Sequence, residues 1–323
     1  MKKSRLWAGI FLILLSGCLA APETIRDVRV LRQDHAAYLA SGGETRDILP
    51  PETQKRLEEE YNIIHFSVWH QARPFHALAA RVENDVKRFA AKPGYGENKK
   101  RHPSSWMKKI QHNAALTGYP NTLTRGITIR NTDLRALPTR SPHFHDRDGD
   151  AWAWPFDNLQ RSSVAANTPV FVCHTSLDKS WVLVETSFTF GWIPAEDLAY
   201  ADDAFIKSWE SGRYAVVVRD YTSILDEDNR FLMRASVGHI FPQSEHGANR
   251  AQILVAVADP RGNAVIRKGY APADAMVPKP LRFNAVNAAR IANEMIGEPY
   301  GWGGLYGHRD CSSMTRRNAA RLC

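Results

Sequence analysis

Pro299-Tyr300-Gly301-Trp302-Gly303-Gly304, then Asp310-Cys311-Ser312, is where this 323-residue sequence concentrates residues able to do chemistry. The order predicts the end of one helix, a glycine-rich turn, and a cysteine opening the next helix. Amide groups and the positive dipole of a helix N-terminus favour a thiolate over a thiol, so a cysteine placed there can serve as a nucleophile. Acyl transfer also needs an imidazole to move protons. Twelve residues follow Cys311 and none is His. His308, just before the cysteine, reads as a loop residue.

The elements that must position this segment lie upstream. Asn284 can cap a helix whose apolar face is Ala285, Ala288, Ala289, Ala292, Met295 and Ile296, with Gly297 just past its end. Pro278-Lys279-Pro280 reads as a linker. Between residues 122 and 275 the apolar pattern alternates as in strands: Ile127 and Ile129, Val170 and Val172, and Trp181 to Glu185. Gly191-Trp192-Ile193, Ala215 to Arg219, Ile224-Leu225, Val237 to Phe241, Ile253 to Ala258 and Ala264 to Lys268 follow. Asp259-Pro260-Arg261-Gly262-Asn263 supplies a turn. Two consecutive small barrels are expected, at 122–200 and 208–275, without enough likeness in residues to establish an internal repeat. Together they are expected to fold without the C-terminal segment. Residues 52–90 read as mainly helical, with Leu78, Val82, Val86 and Phe89 on one stripe, and a shorter helix follows from Trp106 to Leu116.

A composition of 44% apolar and 24% charged residues is that of a globular chain. The net charge of +8 is spread out; its densest cluster, Lys99-Lys100-Arg101 with Lys108-Lys109, reads as a solvated face, with attraction to an anionic envelope surface second. No nucleic-acid motif accompanies it. Lys2, Lys3 and Arg5 precede the apolar run Leu6 to Leu15, which fits an export signal. Leu15-Ser16-Gly17-Cys18 predicts lipidation of Cys18, hence an exported, membrane-anchored envelope protein. Cys173 reads as a buried strand residue. No Cys/His spacing suits a metal and no glycine-rich loop suits a phosphate, so neither metal nor cofactor is expected.

Taken together, the glycine-rich turn and the Asp-Cys-Ser motif resemble the NlpC-type papain-like cysteine peptidases of bacterial cell walls. Within them the likeness is to the γ-D-glutamyl–diamino acid endopeptidases with two SH3-like domains. The resemblance implies a multidomain α+β chain. It would comprise a signal at 1–18, a helical stabilising segment at 22–120, the two SH3-like β-barrels, and at 283–323 the first helices of an incomplete papain-like domain. It implies that Cys311 attacks the γ-glutamyl carbonyl of peptidoglycan stem peptides and forms a thioester. Tyr300 would support the oxyanion, Asp310 would bind the free amine of an N-terminal L-alanine, and Ser312 would contact the D-glutamyl carboxylate. Trp152, Trp154, Phe156 and Asp157 would wall one end of the cleft, or else serve as barrel core.

The missing histidine and the basic, apolar-poor tail after Met314 predict a chain broken soon after the nucleophile and inactive alone. The alternative is a non-catalytic envelope lipoprotein that binds wall peptides through its barrels.

Overall fold

The computed structural model describes residues 25–39, 45–149 and 153–315. Cys18 and Trp152 lie outside them. The chain is mixed α+β, a helical N-terminal region followed by two β-rich SH3-like domains.

The N-terminal region comprises α1 (Arg26–Val30), α2 (Pro51–Phe66), α3 (Ala79–Ala91) and α4 (Ser104–Ala114). Pro51 starts α2 where a missing N–H costs nothing. On α3 the buried stripe is Val82, Asp85 and Phe89; Leu78 stands before the helix and is exposed. The charged Asp85 joins the stripe because Arg161 of the first barrel pairs with it. Met107, Ile110 and Ala114 are the buried side of α4, and Ala115 in the left-handed conformation closes it.

Among its described residues this region shares its core with the first barrel. Phe66, Val68, Trp69 and Val82 share one cluster with Phe171, Leu183 and Trp192 of the first barrel. Inside it the Trp69 indole N–H donates to the Gly126 carbonyl at 2.7 Å. The fully buried Glu185 carboxylate accepts the backbone N–H groups of Phe75, His76 and Ala77, together with the Gln71 amide. The first barrel's core is therefore completed by residues that precede position 122.

The first barrel runs β1 (Thr124–Thr128), β2 (Thr132–Arg135), β3 (Gln160–Val164), β4 (Pro169–Thr175), β5 (Trp181–Glu185), β6 (Phe190–Pro194) and β7 (Leu198–Tyr200). After α5 (Asp203–Trp209), capped by Asp202, the second runs β8 (Tyr214–Val217), β9 (Thr222–Leu225), β10 (Phe231–Ala235), β11 (Ile240–His246), β12 (Arg250–Ala258), β13 (Ala264–Pro272) and β14 (Met276–Pro278). The spatial orders are β3-β2-β6-β5-β4-β1-β7 and β10-β9-β13-β12-β11-β8-β14. These are the same order, strand for strand. The repeat that sequence did not establish is thus plain in topology. Its residue signal is the shared step Gly191-Trp192-Ile193-Pro194-Ala195-Glu196 and Gly269-Tyr270-Ala271-Pro272-Ala273-Asp274. Asn167, buried with φ +63, locks the barrels together by exchanging two hydrogen bonds of 3.0 Å with the Ala256 backbone.

α6 (Ala285–Asn293) begins at Asn284, whose side chain accepts from the Asn287 N–H at 2.9 Å. Ala289 and Ile291 are its buried residues, whereas Ile296 is exposed. Ile291 packs on Val216, Val218 and Val237, so the second barrel carries this helix.

Candidate active site at the glycine-rich turn

After α6 the chain turns over Trp302–Gly307, with positive φ at Gly303, Gly304, Tyr306 and Gly307. The turn closes on itself. Tyr300 bridges Arg309, and the Gly301 N–H donates to the Arg309 carbonyl at 2.9 Å. Residues 311–315 then form a helical turn. Asp310 caps it: its Oδ1 accepts from the Ser313 N–H at 2.6 Å and from the Ser312 hydroxyl at 3.0 Å. Cys311 follows, free and exposed.

Sequence reasoning named Cys311, Tyr300, Asp310 and Ser312, and the fold brings all four to one place. Tyr300 is 60% exposed. Its phenol pKa is raised first by partial burial and then by the neighbouring Cys311 and Asp310 charges, which keeps the hydroxyl protonated and able to donate. His308 sits half-buried in the turn. Among the described residues no histidine is hydrogen-bonded to the Cys311 thiol.

The turn is seated on the first barrel. The Trp302 indole N–H donates to the Asp157 carbonyl at 3.0 Å, and its ring meets Phe156 edge-on at 5.3 Å. The Gln160 amide donates to the Gly303 carbonyl at 3.1 Å. A Cβ on Gly304 would collide with Ser163, so β3 accepts the turn only with glycine there.

Beside the turn lies a cleft of about 310 Å³, lined by Asp133, Arg140, Trp154 and Tyr306 among others. Trp154 is 57% exposed and so belongs to the cleft wall, not to the barrel core. Asp157 also lines the cleft, but its carboxylate is engaged inward. It accepts from Arg135 at 2.6 Å and from the His143 and Leu159 N–H groups at 3.0 Å. That carboxylate ties Arg135 to the backbone at His143 and Leu159. Sequence reading missed Arg135, Gln160, Tyr306 and Arg309, since nothing local marks them. Among the described residues no group of three His, Cys, Asp or Glu side chains could hold a metal.

Three family models match the chain. Residues 7–119 match the NLPC_P60 stabilising domain, N term; residues 142–194 match an SH3 domain of SH3b1 type; and residues 202–246 match an SH3 domain of SH3b2 type. The chain thus carries an NLPC_P60 stabilising domain followed by two SH3 domains. The NlpC/P60 endopeptidase of Photobacterium damselae subsp. piscicida has a similar fold, with a TM-score of 0.81 at 24% identity over 90% of this chain and 67% of that one. An NlpC/P60 family protein from Bacillus cereus aligns with a TM-score of 0.38 at 19% identity, over 51% of this chain and 56% of that one. No curated protein matches this chain. The SH3b1 match begins after β1 and β2, and the SH3b2 match ends before β12. Each barrel is therefore larger than its matched segment.

Proposed function

We propose that this chain is an exported envelope protein of the peptidoglycan stem-peptide cysteine endopeptidase type, directed at the γ-D-glutamyl–diamino acid bond. The observation that carries the reading is the closed turn that sets Tyr300 and Asp310 beside an exposed Cys311 thiol. In this reading the Cys311 thiolate attacks the amide carbonyl, the Tyr300 hydroxyl donates to the resulting oxyanion, and the amine leaves as the thioester forms. The acidic Asp310 favours an ammonium at the N-terminal end of the substrate, and Ser312 offers a hydroxyl to a carboxylate. Export and lipid attachment through Cys18 complete the proposal, and comparing membrane fractions of the parent and Cys18→Ala tests that part.

Leaving-group protonation and thioester hydrolysis need an imidazole, and loss of such a group costs on the order of 10²–10⁴ in rate. Among the described residues no imidazole is bonded to Cys311, so we infer that these residues by themselves do not turn over the substrate. A second reading, wall-peptide binding without catalysis, is favoured by the cleft beneath Trp154. L-Ala-γ-D-Glu-diamino acid incubated with the parent and with Cys311→Ala separates the two. Titration calorimetry should detect binding to both, weakened by Trp154→Ala. Absence of binding would sink both readings. Cys311-dependent release of the diamino acid would place His308 in the role of base.

A further inference from the structure

Arg309 stands one residue before Asp310 and is 7% exposed. Its guanidinium meets two carboxylates through different nitrogens: Nη1 pairs with Glu298, and Nη2 with Asp220. Asp220 belongs to the turn after β8 and is itself buried, and its Oδ1 also accepts the Val237 N–H at 2.8 Å. Glu298 accepts the Tyr221 hydroxyl at 2.6 Å, and the Asp220 N–H donates to Glu294 at 3.2 Å. The Arg309 backbone meanwhile bridges Tyr300 and receives the Gly301 N–H. One residue thus joins the second barrel, the turn after α6, the tyrosine and the segment that opens into the cysteine.

We propose that Arg309 is a positioning residue through which the second barrel fixes Cys311 relative to Tyr300. The proposal rests on Cys311 being the reactive group of the site. A buried arginine suits the task because its planar fork bonds two acceptors in fixed directions, whereas an ammonium is a point charge on a flexible stem. Such a cluster is worth little as net stability but specifies one geometry, since breaking it strands buried charge. The first barrel seats the turn through Trp302 and Gln160. The second aims the nucleophile.

The test uses the full chain and needs no substrate. Alkylation of Cys311 by iodoacetamide is followed by mass spectrometry of its peptide from about pH 5 to about pH 9, alongside thermal melts. Arg309→Lys keeps the positive charge, so the variant should still fold, with a lowered melt because one of the two buried carboxylates loses its partner. The alkylation profile should move by about half a pH unit, a threefold change in rate near neutrality. Asp220→Asn keeps an acceptor for the Val237 N–H, and should move the profile in the same direction from the far side of the ion pair. Profiles that superimpose on the parent's in either folded variant would overturn the proposal, leaving charge compensation as the only role.

If neither variant folds, amide exchange in the parent decides. Ser313 and Met314 should be protected together with Val237, and exchange at 313–314 that runs far ahead of Val237 refutes the link. A moved profile in a chain that never binds stem peptide would refute the proposed function and leave this inference standing.

Discussion

The Trp302 indole N–H lies 3.0 Å from the Asp157 carbonyl oxygen, joining the glycine-rich turn to the long loop of the first barrel across 145 positions of sequence. Trp302→Phe removes this one hydrogen bond and keeps an aromatic ring against Phe156. The expected cost is about 1 kcal/mol, read from the denaturant midpoint. A variant as stable as the parent would show that the ring alone seats the turn.

Gly304 gives a sharper probe of the same seat. Its φ of +82 is a conformation that costs a residue bearing a Cβ roughly 1–2 kcal/mol, and Ser163 occupies the space a methyl would need. Gly304→Ala should therefore destabilise by about 2 kcal/mol or more and displace the turn. Ser163→Gly should recover part of the loss, so the double variant will be non-additive. Additive effects would mean that the two residues do not press on each other.

Glu185 decides whether the helical region is an accessory or part of the barrel. Glu185→Leu leaves the N–H groups of Phe75, His76 and Ala77 without their acceptor. Each orphaned buried donor costs about 1–3 kcal/mol, so a total loss above about 3 kcal/mol is expected in urea melts. By the same logic a fragment starting near residue 122 should lack a cooperative transition, because Trp69 and Phe66 leave the first barrel's core with it. A sharp melt of that fragment would restore the view of a self-sufficient barrel pair.

Acid should weaken the fold through its histidines. Burial, followed by the Lys279 charge, lowers His65 from 6.5 to about 3. Burial and then the charge on His143 lower His145 to about 4, while burial is also the largest cause lowering His143. In each case the unfolded imidazole binds a proton at a pH where the folded one does not. Stability is therefore complete above the unfolded value near 6.5 and falls as pH drops toward the folded values. The denaturant midpoint should decline from about pH 7 to about pH 4, and His145→Asn should flatten the decline. A midpoint that is level over this range would contradict the assignment.

Much of the chain was legible because its causes are local. Asn284 caps α6 three residues from its partner, the Asp259 carboxylate takes the Arg261 and Asn263 N–H groups within the β12–β13 turn, and the glycines after Tyr300 announce positive φ. Propensity, capping and alternation act over a few residues, so the helices, most strands, the turn and the Cys311 neighbourhood could be read directly.

The identical strand order of the two barrels could not, because pairing between distant strands leaves only faint marks such as the shared Gly–aromatic–x–Pro–Ala step. Nor could Arg309 be read as a hub. Its partner Asp220 lies 89 positions away, as Glu185 lies 108 to 110 positions from the N–H groups of Phe75, His76 and Ala77. A buried charge takes whichever partner the topology delivers to it. The sequence by itself therefore determined which residue could be the nucleophile and what surrounds it along the chain. Only the tertiary structure decided that both barrels hold it, one by hydrogen bonds to the turn and the other through a buried ion pair.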